Sequence, residues 1–414
     1  MKRNARVTFG VLTFASAWGG TAAAQTVDKT PETTKHEAAP APTAAHPSPD
    51  HWYDRIMIRG YAQLRFNRLY ASSDSMKNDF ADKSLAPGST FFFRRARVIL
   101  QGDIHKHVFI YLQPDFAGAT NGDVQNLAQI RDWYGDLAFD SKKEFRLRVG
   151  QSKVPYGFEN MQSSQNRAPF DRTEAINSAL PGERELGLFL YYAPEVVRRR
   201  FKMLVDSGLK GSGDYGMLAL GLYNGNGINL KDKNTNKHVV ARVTYPFVIG
   251  SQILELGTGG YAGDYRITRG DKVWSYRTGG TNDDFRDVRL HASMTLYPKP
   301  IGLQAEYNIG RGPELEGKVV REKFLHGGYA MVMARYEHKD LGAFVPFVRY
   351  QYYRGGRKSD TSAPSSEVKE LEVGLEWQIV RPVEVTASYM KAERTTNGKT
   401  ETGDFVRLQC QLNY

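Results

Sequence analysis

From Ile56 onward the chain repeats one device: about ten residues in which apolar and polar positions alternate, then a turn or loop. In IMIRGYAQLRFNRLY, Ile58, Ala62, Leu64 and Phe66 share one face, while Arg59, Tyr61, Gln63, Arg65 and Asn67 share the other. A period of two is that of a β-strand with unlike faces. Ala96, Val98 and Leu100 likewise oppose Arg95, Arg97 and Gln101, and Phe145, Leu147 and Val149 oppose Arg146 and Arg148. Val288, Leu290, Ala292, Met294 and Leu296 oppose Arg289, His291, Ser293 and Thr295. At the end of the chain Val406, Leu408, Cys410, Leu412 and Tyr414 oppose Arg407, Gln409, Gln411 and Asn413. A β-sandwich alternates too, so the connections have to discriminate.

Long gaps at 71–91, 117–128, 153–184, 224–237, 263–286, 310–327, 354–368 and 394–403 alternate with short turns near His105, 140–143, 247–251, 298–301, 339–342 and 380–382. The alternation is strict if 185–223 holds one strand pair, its third strand-like run being a hairpin extension. Long loops at one end and short turns at the other are the habit of membrane barrels. The pattern therefore predicts an all-β fold over residues 51–414: a transmembrane antiparallel β-barrel of sixteen strands, with short periplasmic turns, long extracellular loops and both ends periplasmic. That allots about 23 residues per strand, against the ~9–11 that cross the membrane. Tyr414 ends the last strand as a girdle aromatic.

The first residues change the picture of where the chain works. Lys2, Arg3 and Arg6 precede a short apolar stretch, Val7 to Trp18, and Ala22-Ala23-Ala24 precedes Gln25. This is a secretory signal peptide over 1–24, cleaved near Ala24/Gln25. Its removal lowers the net charge from +11 to +8. Residues 25–50, rich in Ala, Pro and Thr, read as a flexible periplasmic leader. Mean hydropathy is only -0.50, which suits a barrel in which alternate residues face lipid. The single cysteine, Cys410, excludes an intramolecular disulfide. The location expected is the bacterial cell outer membrane, with lipopolysaccharide and outer-membrane lipid around the wall.

By strand phase the lumen is basic: Arg59, Arg65, Arg95, Arg97, Arg146, Arg148, Arg242, Arg289, Arg335, Arg349 and Arg407 point inward. Guanidinium is permanently charged, and its forked donors suit oxyanions. Such a row lowers the barrier to anions in a narrow aqueous pore. Asp103, Asp115, Asp132, Asp136, Glu306, Glu370, Glu372 and Glu376 share the phase and can pair with it. Modest anion preference follows, rather than strict phosphate selectivity. Arg94, of opposite phase to Arg95, reads as a solvated rim residue, the alternative being contact with lipopolysaccharide phosphates. The run Arg198-Arg199-Arg200 reads as solvated charge, too isolated for nucleic-acid binding.

VGQSKVPYGFEN (149–160), FRRARVILQGD (93–103), DWYGDL (132–137) and GLYNGNG (221–227) resemble stretches of the phosphate-selective porin O and P family, and the resemblance runs in order over about 56–414. It implies a sixteen-stranded, usually homotrimeric channel, some members of which select phosphate or polyphosphate. It also implies that the longest loop, 153–184, folds inward, which makes Lys153, Arg167, Arg172 and Arg184 constriction candidates.

The function expected is passive diffusion of small hydrophilic solutes, anions preferred, with no cofactor. A general non-selective or sugar-type porin is the alternative, the latter weakly allowed by inward Tyr61, Phe109, Tyr111 and Tyr134. A barrel enzyme is remote, because the nine histidines form no HExxH and no nucleophile motif is present.

Overall fold

The computed structural model describes residues 51–71, 89–118, 127–271, 273–275 and 283–414. The expected signal peptide and leader, and the middles of the loops expected at 71–91 and 117–128, lie outside them. Sixteen antiparallel strands close into a barrel. They are β1 (Ile56–Ala71), β2 (Ser89–His105), β3 (Val108–Gly118), β4 (Leu127–Ala138), β5 (Phe145–Lys153), β6 (Arg184–Tyr192), β7 (Leu218–Tyr223) and β8 (His238–Ile249). Then come β9 (Gln252–Arg266), β10 (Asp284–Leu296), β11 (Ile301–Glu316), β12 (Val319–Ala334), β13 (Gly342–Gly356), β14 (Ser365–Val380), β15 (Val383–Thr396) and β16 (Lys399–Asn413). Tyr336–His338 continues β12 beyond Arg335, and Trp274–Ser275 lies beside the start of β12. Closure comes from β1, whose Tyr61 faces Arg97 of β2 on one side and Asn413 of β16 on the other. Every strand thus has two neighbours, as a lipid environment without backbone partners demands.

Alternation sets the faces. Tyr61, Gln63, Arg65 and Asn67 are buried in the lumen, whereas Ile58 and Leu64 stand exposed on the outside. Outward Phe91, Phe324, Leu290 and Ile301 are similarly exposed, an apolar belt for lipid.

Three expectations about connections are corrected. The gaps 310–327 and 394–403 are not long loops: β11 and β12 pair up to Glu316 and Val319, and β15 and β16 up to Thr396 and Lys399. In the second hairpin Asn397 and Gly398 have φ of 48° and 83°, the two positive φ values of a type I′ turn that Asn-Gly adopts readily. The third correction is larger. Between β6 and β7, at the end of the short turns, the extra run is no strand but a helix, α2 (Glu195–Asp206). Val197, Phe201 and Leu204, one helical face, are its buried residues. Arg198 and Arg200 are not free solvated charge either: they donate to Lys142 O (2.7 Å) and Pro246 O (2.5 Å), stapling α2 to the rim. Arg199 alone of the run is exposed, beside Glu195 at 3.2 Å.

Candidate functional site

The connection between β5 and β6 folds into the barrel. Its ends are tied where Val154 N donates to Glu183 O (3.2 Å), and the residues between are almost all buried, including the short helix α1 (Glu174–Ala179). An irregular backbone inside a barrel needs partners for its polar groups, and the wall supplies them. Phe158 N and Glu159 N both donate to Glu306 Oε2, at 2.9 and 3.0 Å. Tyr156 donates to Asn308 Oδ1 (2.6 Å), Glu174 N to Gln351 Oε1 (2.8 Å), and Arg289 to Ser178 Oγ (2.8 Å). Apolar contacts complete the seat, with Val154, Tyr156, Ile176 and Leu180 against Phe189, Tyr191, Tyr223 and Tyr261 of β6, β7 and β9.

Two loop carboxylates organise the charges. Asp171 lies 2.7 Å from Arg65, 3.1 Å from Arg94, 3.4 Å from Arg407 and 3.7 Å from Arg95. Glu183 lies 2.5 Å from Arg184, 3.2 Å from Arg172 and 3.8 Å from Lys153. Burial alone would raise the Glu183 carboxyl, but Arg172, Arg184 and Lys153 hold it well below its ordinary value. Burial brings Arg172 down to about 10, against the opposing pull of Glu183.

The strand-phase arginines sort into groups by what they touch. Arg65, Arg289, Arg349 and Arg407 anchor the loop; Arg349 meets Glu372 at 2.8 Å and Glu159 at 3.1 Å, and Arg407 meets Glu372 at 2.6 Å. Arg97 meets Asp115 at 2.7 Å and donates to Tyr61 OH at 2.6 Å, while Arg95 donates to Gln63 Oε1 at 2.7 Å. Arg148 forks onto Asp136 at 2.7 and 2.8 Å and lies over the Tyr134 ring. Arg146 meets Asp214 at 2.8 Å. Arg146 and Arg148 line a cavity of about 320 Å³ with Tyr111 and Tyr134. Arg242 sits 3.7 Å from Glu255. Arg59 and Arg335 lie apart from these, in a mouth of about 2430 Å³ at the end where α2 lies.

The loop candidates also differ among themselves. Lys153 Nζ donates to the carbonyls of Asn160 (2.8 Å), Met161 (3.3 Å) and Gln162 (2.5 Å), so it clamps the loop's own first turn. Arg172 donates to Asn160 Oδ1 (2.8 Å) and Arg184 to Asp132 Oδ2 (2.9 Å). Arg167 is the exception. It is only 6 % exposed, its Nε and Nη1 have no hydrogen-bond partner, and no carboxylate lies within ion-pair distance among the described residues. Its electrostatic neighbours are Arg95, Lys153 and Arg172 and, beyond ion-pair distance, the Glu183 carboxylate.

Phase reasoning missed part of this cluster. Arg94 is not a rim residue pointing outward: the β1–β2 ladder shifts register between Gln63 and Leu64, which pair with Arg95 and Phe93, and the bulged Arg94 reaches Asp171. A second shift, between Gln113 and Pro114, leaves Arg131 as the extra residue on β4. It donates to Gly182 O (3.1 Å) and joins Arg97 and Arg184. Asp171 and Glu183 lie in the loop, where a period of two has no meaning; the only signal was an acid beside an arginine in each case. No group of His, Cys, Asp and Glu able to hold a metal occurs among the described residues.

Known proteins agree with this architecture. The phosphate-selective porin O and P family matches over residues 71–414. No curated protein sequence matches significantly. Among solved structures, the outer membrane channel DcaP of Acinetobacter baumannii is similar with a TM-score of 0.54 at 13% identity, covering 87% of this chain and 97% of that one. OmpF of Salmonella typhi, in complex with daunomycin, gives 0.54 at 15% identity, covering 87% and 97%. An anion-selective porin from Comamonas acidovorans gives 0.51 at 9% identity, covering 87% and 99%.

Proposed function

The chain belongs to the phosphate-selective porin O and P family and is an outer-membrane porin, and on that premise we propose that it passes small hydrophilic solutes by diffusion, with anions such as phosphate or polyphosphate preferred. Family and fold are those of a channel rather than an enzyme. The observation that carries the preference is Arg167, a buried guanidinium with no carboxylate within ion-pair distance, set among Arg95, Arg172 and Lys153, with Glu183 as its more distant counter-charge. A buried charge is costly unless something pairs with it. A passing anion relieves that cost, and a cation adds to it. Fixed donors in a water-poor constriction act on the ion more strongly than they would in bulk water. The arginines paired to Asp115, Asp136 and Glu372 contribute little net field, which supports modest selectivity rather than an exclusive oxyanion site.

The sugar-type alternative has less support, because two of its aromatics are engaged: Tyr61 accepts from Arg97, and Tyr134 lies beneath Arg148. Homotrimeric assembly, contact with lipopolysaccharide and cleavage of the leader near Ala24/Gln25 belong to the same proposal; the mass of the detergent-solubilised assembly and the N-terminal sequence of the mature protein test the first and last. Phosphate titration of the chloride current tests the preference: concentration-dependent block supports an oxyanion-binding constriction, and an unaltered current refutes it.

A further inference from the structure

The outer wall carries a groove that solute passage does not use. β10 pairs with β11 only as far as Val288 and Arg311, whereas β11 and β12 stay paired to Glu316 and Val319. Above this fork Arg286 N, with no partner on β11, donates to Glu322 Oε1 (2.8 Å). The fork opens a cavity of about 800 Å³, floored by Val288, Leu290, Ile309 and Phe324 and rimmed by Arg286, Arg311 and Arg321. The floor faces outward: Leu290 is 57 % exposed, Ile309 43 % and Phe324 61 %. It lies at the extracellular ends of the strands, opposite the short turns, at the height of the outward cluster Tyr307, Phe324, His326 and Tyr352.

Three arginines rim the groove; Glu322 is the one acid in its lining, and the acids that meet two of the arginines stand outside it. Arg286 meets Asp264 at 3.5 Å and Arg321 meets Glu316 at 3.6 Å, while Arg311 has no ion pair among the described residues. An outward arginine is costly at the bilayer midplane and nearly free at the interface, so three of them over an apolar floor mark the headgroup boundary. Arginine's fork matches phosphate oxygens, and the floor matches a hydrocarbon chain. A free anion would leave the floor unused, and an uncharged lipid would leave the rim unused.

We propose that this groove binds a phosphorylated acyl glycolipid of the outer leaflet, the lipid A part of lipopolysaccharide, with phosphate at Arg286, Arg311 and Arg321 and an acyl chain along Leu290, Ile309 and Phe324. The assignment rests on the outer-membrane reading above. It moves lipid recognition away from Arg94, which is occupied by Asp171, to the opposite part of the wall.

The test is native mass spectrometry of the full-length protein in detergent, titrated with bisphosphorylated lipid A. The wild type is expected to retain lipid A about tenfold more tightly than R286A/R311A/R321A. Lipid A stripped of its phosphates should bind the wild type no better than intact lipid A binds the variant, and inorganic phosphate should not displace it. Equal retention by wild type and variant overturns the proposal, as does displacement by phosphate alone. A variant that alters subunit assembly without altering lipid retention overturns it in favour of an interface between copies. R311E, at an exposed residue, keeps the test available should the triple variant fail to fold. Reversal potentials of the variants should equal that of the wild type; failure of the channel reading would show there, not in the lipid assay.

Discussion

The 154–183 loop enters the barrel from the extracellular end and the 193–217 connection from the periplasmic end. They meet inside, where Phe158 packs with Leu204 and Leu209, and where Gln162 donates to Lys210 O (2.6 Å). The first is held largely by charge: Asp171, Glu159 and Glu183 bind wall and loop guanidiniums, and Glu306 receives two loop NH groups. The second is held by an apolar helix face, Val197, Phe201 and Leu204, and by two ion pairs with the wall, Lys210–Glu376 and Asp214–Arg146. The contrast teaches that obstruction and selectivity are separable. Both segments narrow the lumen, but only the first brings an unpaired charge to it.

The sharpest way to break the comparison is to excise each segment. Replacing 155–182 by a short Gly/Ser link is expected to raise single-channel conductance severalfold and to abolish ion preference. Removing 195–213 should raise conductance less and leave the preference in place. Next in size come opposed substitutions within the loop. Arg167→Ala should lower the anion-to-cation permeability ratio by about twofold or more, with little loss of barrel stability, because the substitution breaks no ion pair. Asp171→Asn should move the ratio the other way while loosening the loop by ~3–5 kcal/mol, the usual cost of stripping one partner from a buried ionic cluster. Limited proteolysis and reversal potentials read the two effects separately. In the helix, Phe201→Ala should cost ~3–5 kcal/mol of local stability, seen as faster hydrogen exchange in α2, and leave the permeability ratio alone.

Alternation along the strands does not by itself rank these residues, and the reason is physical. Wherever the ladder is regular, a period of two placed side chains correctly, as with Arg65, Arg97, Arg148, Arg289 and Arg407, all of which face the lumen. It could not see the bulges that turn Arg94 and Arg131 into the cluster, since one extra residue reverses the phase. Nor could it tell a loop anchor such as Arg349 from an unpaired group such as Arg167, because pairing depends on a loop with no repeat. The helix was legible in principle: Val197, Phe201 and Leu204 stand four and three residues apart. The Asn397-Gly398 turn was legible too, and its two residues make the hairpin tight where a long loop was expected.

The smallest expected effect is that of pH. Glu183 is held below its ordinary 4.5, so its contribution to holding the loop is fully present above that value and is lost only as acid brings the pH down through its lowered pKa. Arg172, at about 10, keeps its proton at neutral pH. Neither group titrates between about pH 5 and about pH 9, so the Glu183–Arg172 contact should add no pH dependence to ion preference over that span, whereas a preference set by exposed histidines would fall across it.

The central claim is that the constriction carries net positive charge because its carboxylates are outnumbered and Arg167 is unpaired. The most direct measurement is the reversal potential of the full-length protein in a planar bilayer under a potassium chloride gradient. A potential of the sign set by chloride, moved toward zero in Arg167→Ala, is the predicted result. A potential of the sign set by potassium, or one that Arg167→Ala leaves unchanged, would contradict it.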